Sequence, residues 1–168
     1  MVKHPQYNSP NLDLLPWILT PDGRGWNMCH MWNNLMLASL DFFRSPGYQA
    51  YFDFLEKDGI FFHERPGDAP VHTIAASWLL SKDEVHQFSE TLGYHHTPFH
   101  SCPQSKGMRA RCACDSHQSF QYDRSQYGCQ REWDFVHSIN STEKIVSYNA
   151  ELGFPNITGH RLLDIPHG

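Results

Sequence analysis

The chain has 168 residues, 40% of them hydrophobic and 18% charged, and a formal net charge of −5. This is the composition of a folded protein long enough to bury a real core, and its negative balance argues against a nucleic-acid partner. No apolar run of about 18 residues is present to span a membrane, and Met1 to Pro10 is polar, without the apolar stretch of a signal peptide.

From the N-terminus, Asn11 to Leu19 is apolar but punctuated by Pro16, and Thr20-Pro21-Asp22-Gly23 marks a turn. Trp26 to Leu40 reads as a strand and then a turn toward a helix. Ser45-Pro46 predicts a helix start, an N-cap followed by proline at the first helical position. Tyr48, Tyr51, Phe52 and Leu55 then fall on one face, and Asp58-Gly59 closes the helix. Ile60 to His63 reads as a short strand. Asp68 is placed to cap the next helix, where Val71, Ile74, Ala75, Trp78 and Leu79 recur at helical spacing, with His72 beside that stripe. Ser81-Lys82-Asp83-Glu84 has the form of a capping box, opening a third helix with Val85, Phe88 and Leu92 inward and Gly93 at its end. Beyond Tyr94 the pattern is irregular, and Gln130 to Gly168 gives weak signals.

The densest chemistry lies between Phe61 and His72. His63, Glu64, Arg65, Asp68 and His72 crowd a segment broken by Pro66, Gly67 and Pro70. A helix cannot run through Pro66-Gly67, so the charges gather at a turn between two elements, a common place for an active site. Glu64 and Asp68 are candidates for acid–base work, with Arg65 between them able to lower their pKa values by pairing. The plainer reading makes Glu64–Arg65 a local ion pair and Asp68 a helix cap. Glu64 and Asp68 are also hard oxygen ligands, and His72, His95, His96 and His100 are nitrogen donors; such a mixture suits manganese or zinc. A zincin motif is excluded because Gly67 stands where its second histidine belongs. The adjacent Cys29-His30 pair does not make a nucleophile–base couple, which requires spatial adjacency. Gly23-Arg24-Gly25 has neither the spacing nor the following helix of a phosphate loop.

Five cysteines are present: Cys29, Cys102, Cys112, Cys114 and Cys129. Two disulfides tying down a loop-rich C-terminal half would leave one thiol free. The alternative is a zinc site at Cys112-Ala-Cys114 with His117, although paired C-x-x-C knuckles are missing. Sequons at Asn140-Ser141-Thr142 and Asn156-Ile157-Thr158 fit a lumenal setting.

Together these motifs identify a resemblance. The chain is similar to the fungal alpha-1,2-mannosyltransferases of glycosyltransferase family 15. The family's Tyr-Glu-Arg-Trp-Gly-Asp-Ala-Pro-Val-His-Ser-Ile-Ala-Ala is met by residues 63–76, beginning His63-Glu64-Arg65-Pro66-Gly67-Asp68. Its Cys-His-Phe-Trp-Ser-Asn is met by Cys29-His30-Met31-Trp32-Asn33-Asn34, and its Asp-Phe-Trp-Arg-Ser by Asp41-Phe42-Phe43-Arg44-Ser45. The Gly-Tyr-Tyr-His-x-Pro-Phe segment corresponds to Gly93-Tyr94-His95-His96-Thr97-Pro98-Phe99, followed by Cys102-Pro103. Cys112-Ala113-Cys114-Asp115 and Tyr127-Gly128-Cys129 complete the match, which runs in order from Leu12 to Cys129.

The resemblance implies a partial GT-A-type mixed α/β glycosyltransferase domain with an irregular, cysteine-containing C-terminal part. It is expected as a single domain over 1–168, with the family-like region at 12–129 and a divergent tail at 130–168. It also implies retaining transfer of mannose from GDP-mannose to a mannoside hydroxyl, with Mn2+, in the secretory pathway or Golgi lumen. By position His96 corresponds to the family's metal-binding histidine, and Trp32 and Asp68 to residues lining its sugar-acceptor region. The candidate site is therefore Asp68 and Glu64 as catalytic carboxylates, His30, Trp32, Asn34, Arg65 and His72 as substrate-binding residues, and His96 as metal ligand. Three departures stand against this. Met36 occupies the position of a family glutamate, and a thioether carries no charge and accepts no proton at neutral pH. Pro66 replaces the family tryptophan. The family's nucleotide-holding N-terminal half, with its other metal ligand and membrane anchor, has no counterpart in these residues. The alternative expectation is a truncated, non-catalytic or repurposed relative, a binding module or a new reaction in the acceptor pocket.

Overall fold

The structure, a computed structural model, describes residues 5–10, 12–20, 23–96, 99–115, 119 and 128–138. The described residues divide into two compact units: one from Met1–Val85 with Val136–Gly168, the other from His86–Phe135.

The first unit is helical. A 3-10 turn at Pro5–Tyr7 precedes the one-turn helix α1, Leu15–Ile18, whose residues are all buried. Pro16 sits at its start, where a missing N–H costs nothing. The expected turn after it is present: Gly23 N–H donates to Thr20 O at 2.8 Å, and Leu19 then bridges Trp26. That bridge is all that survives of the strand expected over Trp26 to Leu40; the remainder has no regular structure until α2, Leu40–Arg44. Its backbone is tied instead by side chains. Asn27 Nδ2 donates to Trp17 O at 2.9 Å, Cys29 N–H to Asn27 Oδ1 at 2.8 Å, and Met31 N–H to Thr73 Oγ1 at 2.9 Å.

Helix α3, Pro46–Lys57, starts as its sequence predicts, with Ser45 Oγ accepting from Tyr48 N–H at 3.2 Å. Tyr48, Tyr51 and Leu55 are buried on its inner face, whereas Phe52 lies outside it, 39% exposed. Gly59, at φ 71°, ends it in the left-handed conformation that glycine adopts without penalty. The short strand expected at Ile60 to His63 is instead a helical turn, α4, Ile60–His63, closed by Phe62 and His63 N–H groups on Gly59 O. A strand needs a neighbour to pair with; a helical turn satisfies its own backbone. Helix α5 runs Asp68–Leu79. Its Val71 and Ala75 pack with Tyr48, Tyr51 and Leu55 into one core, flanked by Phe42, Phe43, Ile60, Phe61, Ile74 and Leu79. Thr73, Ala76 and Ser77 are buried too, so α5 is covered on more of its circumference than the apolar stripe alone predicts. The Ser81–Glu84 capping box forms, but it opens only a 3-10 turn, Lys82–Glu84.

The second unit holds another 3-10 turn, Phe88–Glu90, in place of the expected third helix, and Leu92 is 43% exposed rather than inward. The region read as irregular contains an antiparallel pair, β1 (Tyr94–His96) and β2 (Phe99–Ser101), in which His95 lies opposite His100 and His96 opposite Phe99. A short helix α6, Lys106–Arg109, follows. Helix α7, Gly128–Ser138, enters the stretch read as a weakly structured tail. His117, both sequons and 139–168 lie outside the described residues.

Cys102 and Cys114 form a disulfide with Cα atoms 5.8 Å apart, Cys29 and Cys129 are also disulfide-bonded, and Cys112 is free and exposed. The expectation of four bonded cysteines and one thiol holds, but Cys29 takes the bonding outside the C-terminal half.

Candidate acceptor site

Helix α5 begins at the heart of the charged segment. Sequence reading placed Asp68 as its N-cap; Gly67 takes that position instead and Asp68 is the first helical residue. Its carboxylate is therefore free to look outward. Oδ1 accepts from Ala69 N–H at 3.0 Å and Oδ2 from Asn33 Nδ2 at 2.7 Å. A carboxylate here faces the positive end of the helix dipole, a favourable placement for a negative charge. Asn33 is a residue that sequence reading missed, having chosen its neighbour Asn34, which is exposed. The segment carrying Asn33 is anchored by the Met31–Thr73 bond, and Thr73 is only 1% exposed. Two contacts thus lay residues 31–33 along the first turns of α5. Trp32, between them, is 44% exposed, so part of its indole is open to solvent. A sugar ring stacks on an indole face through its apolar C–H side, while its hydroxyls need carboxylate and amide partners.

Around this centre the other candidates are placed unevenly. His30 is half-buried; its Nδ1 lies 3.0 Å from Met28 O and its ring 6.2 Å from that of Trp26. Trp26 Nε1–H donates to Cys29 O at 2.8 Å. His30 is thus part of the loop's internal bracing. Glu64 and Arg65 are exposed at the end of α4, and both return their backbone N–H groups to Ile60 O at 3.0 Å. Arg65 at φ 50° and Met28 at φ 71° are held in the left-handed region, a strain of about 1–2 kcal/mol each for residues other than glycine. His72 is half-buried, with Nδ1 2.9 Å from the Tyr48 hydroxyl. Burial pushes the Tyr48 phenol above its ordinary value, keeping it protonated. Met36 is 45% exposed.

His96 lies in the other unit, exposed on β1 with its ring stacked parallel to Tyr94 at 6.5 Å. Strand alternation puts it on the face opposite His95 and His100. Among the described residues one cluster holds three metal-binding donors: His100, Cys102 and Cys114, within 4.8 Å of one another. Both of its sulfurs are committed to the disulfide, so it is closed to a metal. The zinc alternative at Cys112-Ala-Cys114 loses Cys114 for the same reason. His96 belongs to no such group of three donors among the described residues.

A helical unit that presents a carboxylate, an amide and an exposed tryptophan together has the makings of a carbohydrate-recognition surface. Comparison with known proteins gives the family of the chain. The family described as glycolipid 2-alpha-mannosyltransferase matches residues 1–138, and the chain belongs to it. It is 39% identical over 153 residues to alpha-1,2 mannosyltransferase KTR1 of Saccharomyces cerevisiae, covering 91% of this chain and 38% of that protein. It is 39% identical over 150 residues to glycolipid 2-alpha-mannosyltransferase 1 of Candida albicans, covering 88% and 34%. Among solved structures, the S. cerevisiae mannosyltransferase Ktr4p in complex with GDP superposes with a TM-score of 0.67 at 33% identity, over 84% of this chain and 38% of that one. Core-mannan synthase A from Aspergillus fumigatus, in its Mn/GDP form, gives 0.62 at 34%, over 80% and 37%. The fold is that of a partial glycosyltransferase domain, and the chain spans little more than a third of the length of these relatives.

Proposed function

We propose that this chain forms the acceptor side of an alpha-1,2-mannosyltransferase, with GDP-mannose as donor and a mannoside hydroxyl as acceptor, and with retention at the anomeric carbon. The observation that supports it best is the Asp68 carboxylate, presented at the start of α5 and held by Asn33 next to the exposed Trp32. In this reading Trp32 carries the acceptor ring and Asn33 orients Asp68. The acceptor hydroxyl attacks mannose C1 from the same face that the diphosphate leaves, so that configuration is retained; the C1–diphosphate bond breaks as the C1–acceptor oxygen bond forms, and Asp68 takes the hydroxyl's proton. Glu64, four residues earlier and exposed, is the second carboxylate at the site, and Arg65 and Asn34 meet the substrate's oxygens. His96 would supply one ligand to Mn2+; a divalent cation there neutralises the diphosphate leaving group. Four cysteines in disulfides suit an oxidising compartment, in keeping with the secretory-pathway lumen.

Calorimetry with an α-1,2-linked mannobiose, and separately with GDP with and without manganese, tests the reading. Mannobiose binding that falls at least 10-fold in Asp68→Ala is expected. A wild-type chain that ignores mannobiose at millimolar concentration would exclude the acceptor site. Mannoside binding without mannose transfer from GDP-mannose would favour a binding module, the reading to which Met36 points.

A further inference from the structure

His72 lies four residues beyond Asp68 on α5, one helical turn along the same face. Its ring is held from two sides. The Tyr48 hydroxyl is 2.9 Å from Nδ1, Phe43 meets the ring edge-on at 5.3 Å and 69°, and the Tyr48 ring lies alongside at 6.2 Å. Tyr48 is itself fixed: it is 6% exposed, and Phe42 and Phe43 pack on it edge-on at 5.2 and 5.1 Å. A hydrogen bond between a phenol and a neutral imidazole has a preferred direction. The phenol O–H is the better donor, and the unprotonated imidazole nitrogen is the better acceptor. With Tyr48 as donor to Nδ1, the imidazole proton would sit on Nε2.

Resting on the acceptor-site reading above, we propose that Tyr48 is a positioning residue that locks His72 as the Nε2–H tautomer, and that this Nε2–H donates to an oxygen of the acceptor mannoside one turn along α5 from Asp68. The two ends of the acceptor contact are then complementary. Asp68 accepts from a sugar hydroxyl and His72 donates to a sugar oxygen, so a ring seated on Trp32 is read in one orientation. An aromatic wall of Phe43 and Tyr48 keeps water from competing for Nδ1, which is why the tautomer is set by the protein rather than by solvent.

Two measurements on the full chain test this. The first is the nitrogen-15 spectrum of histidine-labelled protein, which reports the tautomer directly. His72 is expected as a single Nε2–H form in the wild type and as a mixture in Tyr48→Phe, a variant that keeps the aromatic packing. The second is mannobiose affinity. Tyr48→Phe should weaken it about 3- to 10-fold, the worth of one oriented hydrogen bond. His72→Gln, whose amide N–H reaches the place of Nε2, should stay within about 3-fold of wild type. His72→Asn, whose amide reaches only the place of Nδ1, should lose as much as His72→Ala. An Nδ1–H tautomer in the wild type overturns the proposal. So does unchanged affinity in His72→Asn while Asp68→Ala still abolishes binding; that pattern leaves the acceptor site standing. No mannobiose binding by the wild type removes both.

Discussion

Asp68 draws attention by its charge, but Thr73 holds the geometry around it. Its buried hydroxyl takes the Met31 N–H at 2.9 Å, and so fixes the segment on which Trp32 and Asn33 stand. Thr73→Val keeps the shape and leaves that N–H without a partner. Urea denaturation should show a loss of about 1–3 kcal/mol, and mannobiose affinity should fall with it. At Met36 the expected change is a gain. Restoring a carboxylate with Met36→Glu should raise mannose transfer from GDP-mannose if the position serves the chemistry it serves in the family, while stability stays within about 0.5 kcal/mol because the side chain is 45% exposed. A thiol-reactive reagent that leaves disulfides intact should titrate one thiol in the native, unreduced chain, that of Cys112. A second reacting thiol would contradict the bonding of Cys29, Cys102, Cys114 and Cys129.

At the scale of elements, α3 and α5 support one another through an aromatic seam. Gly47, near the start of α3, is needed for space: a Cβ there would come within 2.9 Å of Leu79 Cδ2 and 3.0 Å of Tyr7 Cβ. Gly47→Val should cost about 1–3 kcal/mol in a denaturation curve. The seam also sets the alkaline limit of the fold. Burial pushes the phenols of Tyr48 and Tyr51 above their ordinary value of 10.0, and the neighbouring Tyr48 raises Tyr51 further. The unfolded chain therefore loses these protons at lower pH than the native chain. Their contribution is intact below pH 10 and declines as pH rises past it, by about 1.4 kcal/mol per pH unit for each proton withheld. Tyr51→Phe should flatten this decline in thermal melts between pH 9 and about 11.

Across the whole molecule, burial is uneven. Leu35, Leu37 and Leu40 are 60%, 76% and 61% exposed, and Met28 is 68% exposed, so several apolar side chains stand open on the stretch that carries Trp32 and Asn33. Such a stretch favours association with other apolar surfaces. Leu37→Ser should therefore leave the denaturation midpoint nearly unchanged and reduce self-association in sedimentation, whereas Val71→Ala in the core should destabilise by about 1–3 kcal/mol. The chain's span of 38% of KTR1 bears on the same scale. The surface proposed above for the acceptor lies within that span.

Sequence alone determined the features that depend on neighbours along the chain. These are the Ser45-Pro46 start of α3, its Gly59 stop, the apolar stripe of α5, the capping box at Ser81 and the family motifs that pointed to Asp68 and Trp32. Tertiary structure decided the features whose energy comes from distant partners. The Ile60–His63 run has the composition of a strand, but among the described residues no strand lies beside it, and it closed into a helical turn. Tyr94–Ser101 lacks an alternating apolar pattern, yet its backbone pairs in register. Asp68 looked like a cap because caps are local; Asn33, thirty-five residues away in sequence, instead makes it an outward-facing carboxylate. Tyr48 and His72 were each visible as single residues, one as core and one as a candidate ligand. Only the packing of α3 against α5 joined them, because a hydrogen bond between two helices leaves no spacing in the sequence from which to read it.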